Sequence, residues 1–366
     1  MKTNKVKFIS SIWDLRQETL TPTPRIHNYF RFLGKLPPLL VRKLINLYSN
    51  ENDLILDNFA GSGTSLIEAK IANRRSIGIE SNPLFYLLCK VKTSGYVVNT
   101  TNFLSVIRAR LSNKNRKLLF NYPKGKKWFY IESLIDLQTI LDEISRVKNE
   151  KERDFYKVAL ANIIKDASKI DPRCVNHIVI DKNKPKINVC QRFSSSVKEL
   201  SRALMEFTQY KTQSDVYLGD ARRLDFLSDA SIDLIISHPP YLGAIMYYNI
   251  YQLENDLLGF DYKKIKESDI STYSLDKYMR NMKKVFDEMY RVLKPRKYAC
   301  VIIGDTRRNG EIIPTFSHFI DYGKQIGFSL RDIFIWVIVA KAGMNVARRG
   351  NYIDHNYILV FRKESR

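Results

Sequence analysis

The chain has 366 residues, 45% of them hydrophobic and 27% charged, a balance that excludes a disordered polymer and allows a sizeable core. Lys and Arg number 60 against 38 acidic residues, a net charge of +22 with a pI near 9.7. That surplus points to a polyanionic partner, because phosphates exchange condensed counterions for Lys and Arg, but charge alone does not separate DNA, RNA and an anionic membrane surface.

In chain order, the N-terminal segment MKTNKVKFISSIWDLRQETL is basic but lacks the apolar stretch and cleavage site of a secretory signal. No apolar run anywhere reaches the length of a membrane span, and no membrane partner is expected. Residues 53–57, DLILD, predict a short buried strand ending in an acid, followed at once by NFAGSGT. SLIEAKIAN then has helical spacing, and RRSIGIE reads as a second strand ending in Glu80. Strand, glycine turn, helix and strand are the opening of a doubly wound, Rossmann-like α/β sheet. The pattern resumes with strands at 216–220 (VYLGD) and 232–237 (IDLIIS). A long amphipathic helix follows at 275–293, stopped by Lys294-Pro295, and further strands fall at 298–305, 326–339 and 356–363.

Between 89 and 211 the alternation breaks down, and helical periodicity shows in 132–146 and 152–168. We read an inserted, mainly helical subdomain dividing a catalytic domain formed by 1–88 and 212–366. Its basic cluster, Arg108, Arg110, Lys114, Arg116, Lys117, Lys124, Lys126 and Lys127, is interleaved with Trp128 and Tyr130. This reads as a nucleic-acid surface; a solvated face on a helical cap is the alternative. Cys89, Cys174, Cys190 and Cys300 lie far apart and form no C-x-x-C pair. Neither a zinc ribbon nor a disulfide framework is expected, no metal is called for, and free thiols in the cytoplasm are the expected state.

Two turns carry the chemistry. In Asp57-Asn58-Phe59-Ala60-Gly61-Ser62-Gly63-Thr64, glycines allow close approach of a ligand, and the following helix offers free N–H groups to an anionic group. No lysine follows the second glycine, so this is not a Walker loop, and Leu66 breaks the G-x-G-x-x-G pattern. Glu80, with Ser81 beside it, stands where a carboxylate accepts both ribose hydroxyls of a nucleoside. In Ser237-His238-Pro239-Pro240-Tyr241, the prolines fix the backbone at a strand end and the aromatic offers a stacking face. A carbonyl and a side-chain acceptor there bind an exocyclic amine, drawing its lone pair out of conjugation.

FAGSGT and HPPY, in this order, resemble the S-adenosylmethionine-dependent amino-methyltransferases of DNA, the N4-cytosine and N6-adenine family. The resemblance implies a class I methyltransferase sheet, S-adenosyl-L-methionine as cofactor, and direct methyl transfer to DNA without a covalent enzyme intermediate. It covers about two thirds of the chain and leaves 89–211 outside. Residues 25–45 are similar to the segment that wraps the methionine end of the cofactor, implicating His27, Lys35 and Pro37. Asp57, Phe59, Ala60, Gly61, Ser62, Gly63, Thr64, Glu80 and Ser81 match the cofactor turns, and Asp220 and Ala221 the strand end that meets the cofactor's adenine. His238, Pro239, Pro240 and Tyr241 match the catalytic turn. The family usually has Asp, Asn or Ser where this chain has His238; a neutral imidazole still offers one acceptor. The resulting expectation is that His238 accepts from the target amine and that activity falls as the ring protonates near its ordinary pKa of about 6.5. Tyr247 and Tyr248 are candidate walls for an extruded base, and Arg348 and Arg349 candidate phosphate contacts. The FAGSGT form and the tail after Tyr241 look more like the cytosine-N4 branch than the adenine-N6 branch. A site-specific enzyme of this kind also implies a companion restriction endonuclease. An RNA guanine-N2 methyltransferase and an inert nucleic-acid-binding module are the rival readings.

Overall fold

The structure is a computed structural model describing residues 10–15, 23–113, 115–118, 122, 125–171, 178–243, 245–308, 311–338 and 355–365. Ten strands are described: β1 (Ser11–Trp13), β2 (Leu54–Asp57), β3 (Arg75–Glu80), β4 (Ser214–Leu218), β5 (Ile232–Ser237), β6 (Leu293–Ile303), β7 (Thr306–Arg308), β8 (Glu311–Ile313), β9 (Phe328–Val337) and β10 (His355–Lys363). Eight form one sheet in the order β1-β9-β10-β6-β5-β2-β3-β4, and β7 with β8 makes a separate hairpin. All pairings in the large sheet are parallel except those of β10, which runs antiparallel between β6 and β9. The expected doubly wound α/β sheet is therefore present. β1 and the β7–β8 hairpin were not anticipated; three-residue strands carry too little alternation to register.

From β2 the chain moves outward through β3 and β4, then returns to pair β5 against the other side of β2. The order thus reverses between β2 and β5, and ligands of open α/β sheets bind in the crevice beyond the strand ends at such a point. The two turns singled out in the sequence follow these two adjacent strands.

Thirteen helices are described. α1 (Pro38–Tyr48) and α2 (Thr64–Ile71) flank β2, with a 3-10 turn at Arg25–Asn28 before them. α3 (Pro83–Thr93) follows β3, with the Asn82 side chain capping Leu84 N–H and Pro83 in the first turn. α4 (Thr101–Ser112), α5 (Gly125–Trp128), α6 (Ile131–Ser145), α7 (Glu150–Ala167) and α8 (Val189–Phe207) fill the region before β4. Asn149 and Asn188 cap α7 and α8. After β5 come α9 (Tyr247–Ile250), α10 (Gln252–Leu257), α11 (Tyr262–Ser268) and α12 (Leu275–Val292), then α13 (Thr315–Gln325) after β8.

The helical insertion is confirmed as helical, but its core is not its own. Buried side chains of α4, α6, α7 and α8 form one cluster with Ile26, Tyr29 and Phe30 before β2 and Tyr251, Leu253 and Leu257 after β5. α3 also straddles the expected boundary at residue 89. At the other end, α12 runs straight into β6 without a loop. Pro295 lies inside that strand where the register with β5 shifts, so the missing N–H costs no ladder bond.

Candidate functional site

At the end of β2, Gly61 and Gly63 adopt left-handed φ of 50° and 79°, which bend the chain sharply before α2. The bend is tied down on three sides. Gly61 N–H donates to Glu80 Oε2 at 2.8 Å. Lys92, fully buried on α3, donates to the Ser62 carbonyl at 2.6 Å, and the Cys89 thiol to the Gly61 carbonyl at 3.3 Å. Burial brings the Lys92 ammonium down to a pKa of about 7. Phe32 lies over the turn: a Cβ built on Gly61 would come within 2.9 Å of its ring.

The turn opens into a cleft of about 900 Å³. Lys35, Asp57, Phe59, Ala60, Gly61, Ser62, Thr64, Glu80, Ser81, Asp220 and Ala221 all line it, together with His238, Pro240 and Tyr247. The two turns therefore share one space, as the sequence reading required. Pro239 and Tyr241 stand behind His238 and Pro240, outside the lining. Pro37 and Gly63 lie outside it too; Pro37 precedes α1 as its N-cap residue. Sequence reasoning missed several lining residues, Asn58, Phe32 and Asp269 among them. Asn58 was passed over within the glycine motif, while Phe32 and Asp269 carry no local pattern that marks them.

Four carboxylates face the cleft: Asp57, Glu80, Asp220 and Asp269. Burial raises Asp57 to about 6 and Glu80 to about 7, and for Glu80 the neighbouring Asp269 and Asp57 add to the shift. Burial also raises Asp269. Glu80 is held by Gly61 N–H and by Asn82 N–H, the latter at 2.9 Å, one bond to each oxygen. Each oxygen keeps a lone pair for a ligand hydroxyl. Asp220 is gripped by Arg222, whose guanidinium reaches it at 2.5 Å and also donates to Asn281. Aromatic walls complete the cleft. Phe32 stacks on Tyr247 at 5.5 Å and meets Phe85 edge-on at 4.8 Å.

At the second turn, His238 Nε2 lies 3.1 Å from the Tyr241 hydroxyl. The Pro240 carbonyl accepts from Tyr278 at 2.9 Å, which leaves the turn rigid. Burial lowers the His238 pKa to about 4. Charging the ring inside the cleft costs hydration, which moves the acid limb expected for His238 well below the ordinary histidine range.

Four further expectations are corrected. His27 is fully buried away from the cleft, 2.8 Å from Glu68 Oε1; Arg42 binds the same carboxylate at 2.7 Å. It anchors the N-terminal segment to α2 rather than lining the cavity. Tyr248 does not line the cleft either; its ring packs edge-on against Tyr262. Trp128 is buried against Tyr122, and Tyr130 donates its hydroxyl to the Lys184 carbonyl, so neither is a free stacking face. Within the basic cluster, Arg116 is spent on Asp136 and Arg110 on Glu143. Lys114, Lys124, Arg348, Arg349 and Cys174 lie outside the described residues, as does the side chain of Lys126.

A family model described as DNA methylase matches residues 2–90 and 232–366, more than half of the chain, and passes over most of the insertion. The Type II methyltransferase M.MjaI of Methanocaldococcus jannaschii is 27% identical over 42% of this chain and 56% of its own length. M.BsoBI of Geobacillus stearothermophilus is 25% identical over 66% of this chain and 54% of its own length. M.MjaII of Methanocaldococcus jannaschii is 22% identical over 81% of this chain and 75% of its own length. The matched part thus spans just over half the length of the first two relatives.

Proposed function

The chain belongs to the DNA methylase family of S-adenosylmethionine-dependent amino-methyltransferases, and from that premise we propose that it methylates an exocyclic amino nitrogen of a base in DNA. The observation that supports this most is the shared cleft, into which the glycine turn after β2 and His238-Pro239-Pro240 after β5 both open from adjacent strands.

The residues present suit the cofactor. Glu80 would hold the ribose hydroxyls and the Asp220–Ala221 turn the adenine, with Phe32 and Phe85 as apolar walls of the same cleft. Lys35 and the free N–H groups at the start of α2 face the methionine carboxylate. When bound, S-adenosylmethionine supplies a methyl carbon activated by a positively charged sulfur. Four carboxylates around the cleft favour that charge.

The remaining chemistry belongs to the protein. An aryl amine is a weak nucleophile because its lone pair is delocalised into the ring. Acceptors on its protons turn the lone pair toward the methyl carbon. With Nε2 protonated and donating to Tyr241, the Nδ1 of neutral His238 is one such acceptor. Forming the nitrogen–carbon bond would break the carbon–sulfur bond and release a neutral thioether, leaving the amine cationic. That cation is strongly acidic, so even a weak base such as His238 relays its proton to solvent.

Cytosine N4 is the favoured acceptor, on the form of the glycine motif and the tail after Tyr241; adenine N6 is the second reading. Mass analysis of nucleosides from DNA treated with the purified protein and cofactor separates them. N4-methylcytosine is expected, N6-methyladenine would transfer the assignment to the other branch, and no methylated base in DNA would overturn it. The relatives carry Type II names, and a companion endonuclease reading the same site is the partner this function calls for.

Cofactor affinity is expected to depend on pH with a definite sign. Glu80 holds its proton up to about pH 7 and Asp57 to about 6, whereas a cationic, hydroxyl-bearing ligand prefers both ionised. Affinity should therefore fall by about tenfold per pH unit below the Glu80 midpoint. Calorimetric titration across that range checks this, and Glu80→Gln should bind more weakly with a flatter profile. A flat wild-type profile would remove Glu80 from the cofactor site.

The DNA surface makes a separate prediction. Arg108, Lys117 and Lys127 are exposed and carry no ion pair among the described residues. Replacing all three with alanine should lower the slope of log affinity against log salt by about 2–3. The same measurement on Arg116→Ala should show an almost unchanged slope and reduced thermal stability, since Arg116 is committed to Asp136.

A further inference from the structure

We infer that Asn58 is a second recognition group for the target base, its side-chain amide meeting the amine and the adjacent ring nitrogen of that base. The inference rests on the methyltransfer reading above and adds a residue that reading does not use.

Asn58 lies one residue past β2 and is 1% exposed. Both Nδ2 and Oδ1 are buried and lack any hydrogen-bond partner, and the residue belongs to the cleft's lining. A buried amide with donor and acceptor both unmet is costly to keep, and native proteins rarely keep one unless a ligand or water completes it. Among its polar neighbours the Ser237 hydroxyl is likewise unpartnered, whereas the carboxylates have other occupations. Asp57 accepts from Phe59 N–H, Glu80 binds the Gly61 and Asn82 N–H groups, and Asp220 is held by Arg222. Asn58 thus keeps a complete, unused amide in the wall of the cleft.

Its place in the sheet says which ligand it serves. β2 pairs β5 in register Ile55 with Leu234 and Leu56 with Ile235. Carried two residues past the last of these pairs, that register sets Asn58 beside Ser237, immediately before His238. The carboxylates suited to the cofactor's nucleoside, Glu80 and Asp220, stand on the opposite side of β2, beyond β3 and β4. Asn58 is therefore on the side from which a base reaches His238.

The chemistry is complementary. Cytosine presents its N4 amine beside the N3 acceptor, and adenine its N6 amine beside N1. An amide matches either edge bidentately, Oδ1 accepting from the amine and Nδ2 donating to the ring nitrogen. The accepted proton is the one whose engagement frees the amine lone pair, so Asn58 supplies a second acceptor beside His238. Serine or aspartate in its place would lose either reach or the donor.

The test compares Asn58→Leu and Asn58→Asp with wild type, measuring kcat on unmethylated DNA, cofactor affinity by calorimetry, and thermal stability. The Leu variant should lose about 10²-fold in kcat, keep cofactor affinity within about twofold, and melt at or above the wild-type temperature. The Asp variant retains an acceptor but no donor and should lose about tenfold. Unchanged kcat in both variants overturns the inference. So does weakened cofactor binding with kcat preserved at saturation, which would place Asn58 on the cofactor. A wild-type protein that binds the cofactor yet methylates no DNA removes the underlying reading and this inference with it. If the Leu variant does not fold, the Asp variant decides on the same readouts.

Discussion

Gly61→Val should weaken S-adenosylmethionine binding by at least about 10²-fold while leaving the protein folded. Two costs coincide at this position. Gly61 sits at φ 50°, where an L-residue pays about 1–2 kcal/mol and a β-branched one more. The added Cβ would also stand 2.9 Å from the Phe32 ring. Phe32 has little room to withdraw, because it is stacked on Tyr247 and Tyr251 and wedged edge-on by Phe85. If the loop moves instead, Gly61 N–H leaves Glu80, and the carboxylate best placed for the ribose turns with it. Either adjustment narrows or distorts the cleft. Gly95→Ala is the control. Gly95 has a similar φ of 60°, but nothing lies within 4 Å of its added Cβ. It should lose some stability and no cofactor affinity. Equal binding by wild type and Gly61→Val would mean that the cofactor does not approach this turn.

The sequence made the strand ends legible because buried parallel strands read as short apolar runs, and each chemically loaded turn follows one directly. β2, β3 and β5 fall where the runs predict, and their adjacency follows from the doubly wound pattern. The misplacements share a cause. His27 was assigned by its segment, but its partners Glu68 and Arg42 come from distant positions, and no local periodicity reports an ion-paired cluster closed across α1 and α2. Trp128 among lysines reads alike whether its ring is buried or exposed, since an amphipathic helix has both faces. Asp269 and Phe32 reach the cleft only through tertiary folding, one from the loop after α11 and the other from the segment before α1. Asn58 lay within a recognised motif and was still missed, because its unmet amide becomes visible only once neighbouring groups have found partners.

The insertion shows the same limit at the level of domains. Helical periodicity located α6 and α7 to within two residues, yet it could not show that their apolar faces join those of Tyr29 and Tyr251. The shared core reaches from the insertion to the aromatic wall of the cleft, with Phe32 and Tyr247 packed against it. Tyr251 packs in that core, its hydroxyl bonded to the backbone of Arg31 and Leu33 beside Phe32.

His238→Phe is expected to lower kcat by about 10²–10³-fold at saturating cofactor, with cofactor affinity unchanged. Phenylalanine keeps the ring's shape against Tyr241 but removes both nitrogens, so the amine loses an acceptor and the Tyr241 hydroxyl loses one of its partners. His238→Asn should recover much of the loss, because the amide oxygen restores an acceptor at the same turn. The pH profile separates this residue from the carboxylates. With its pKa near 4, His238 stays neutral through the mildly acid range. Wild-type kcat at saturating cofactor should then hold level from about pH 5.5 upward, while apparent cofactor KM rises as Glu80 and Asp57 take up protons. An acid limb near 6.5 in kcat itself, absent from His238→Asn, would show that the ring titrates as if solvated, and that the cleft is wetter than its burial implies. Full activity in His238→Phe would leave the amine to the Pro239 carbonyl and Asn58, and would reduce His238 to packing.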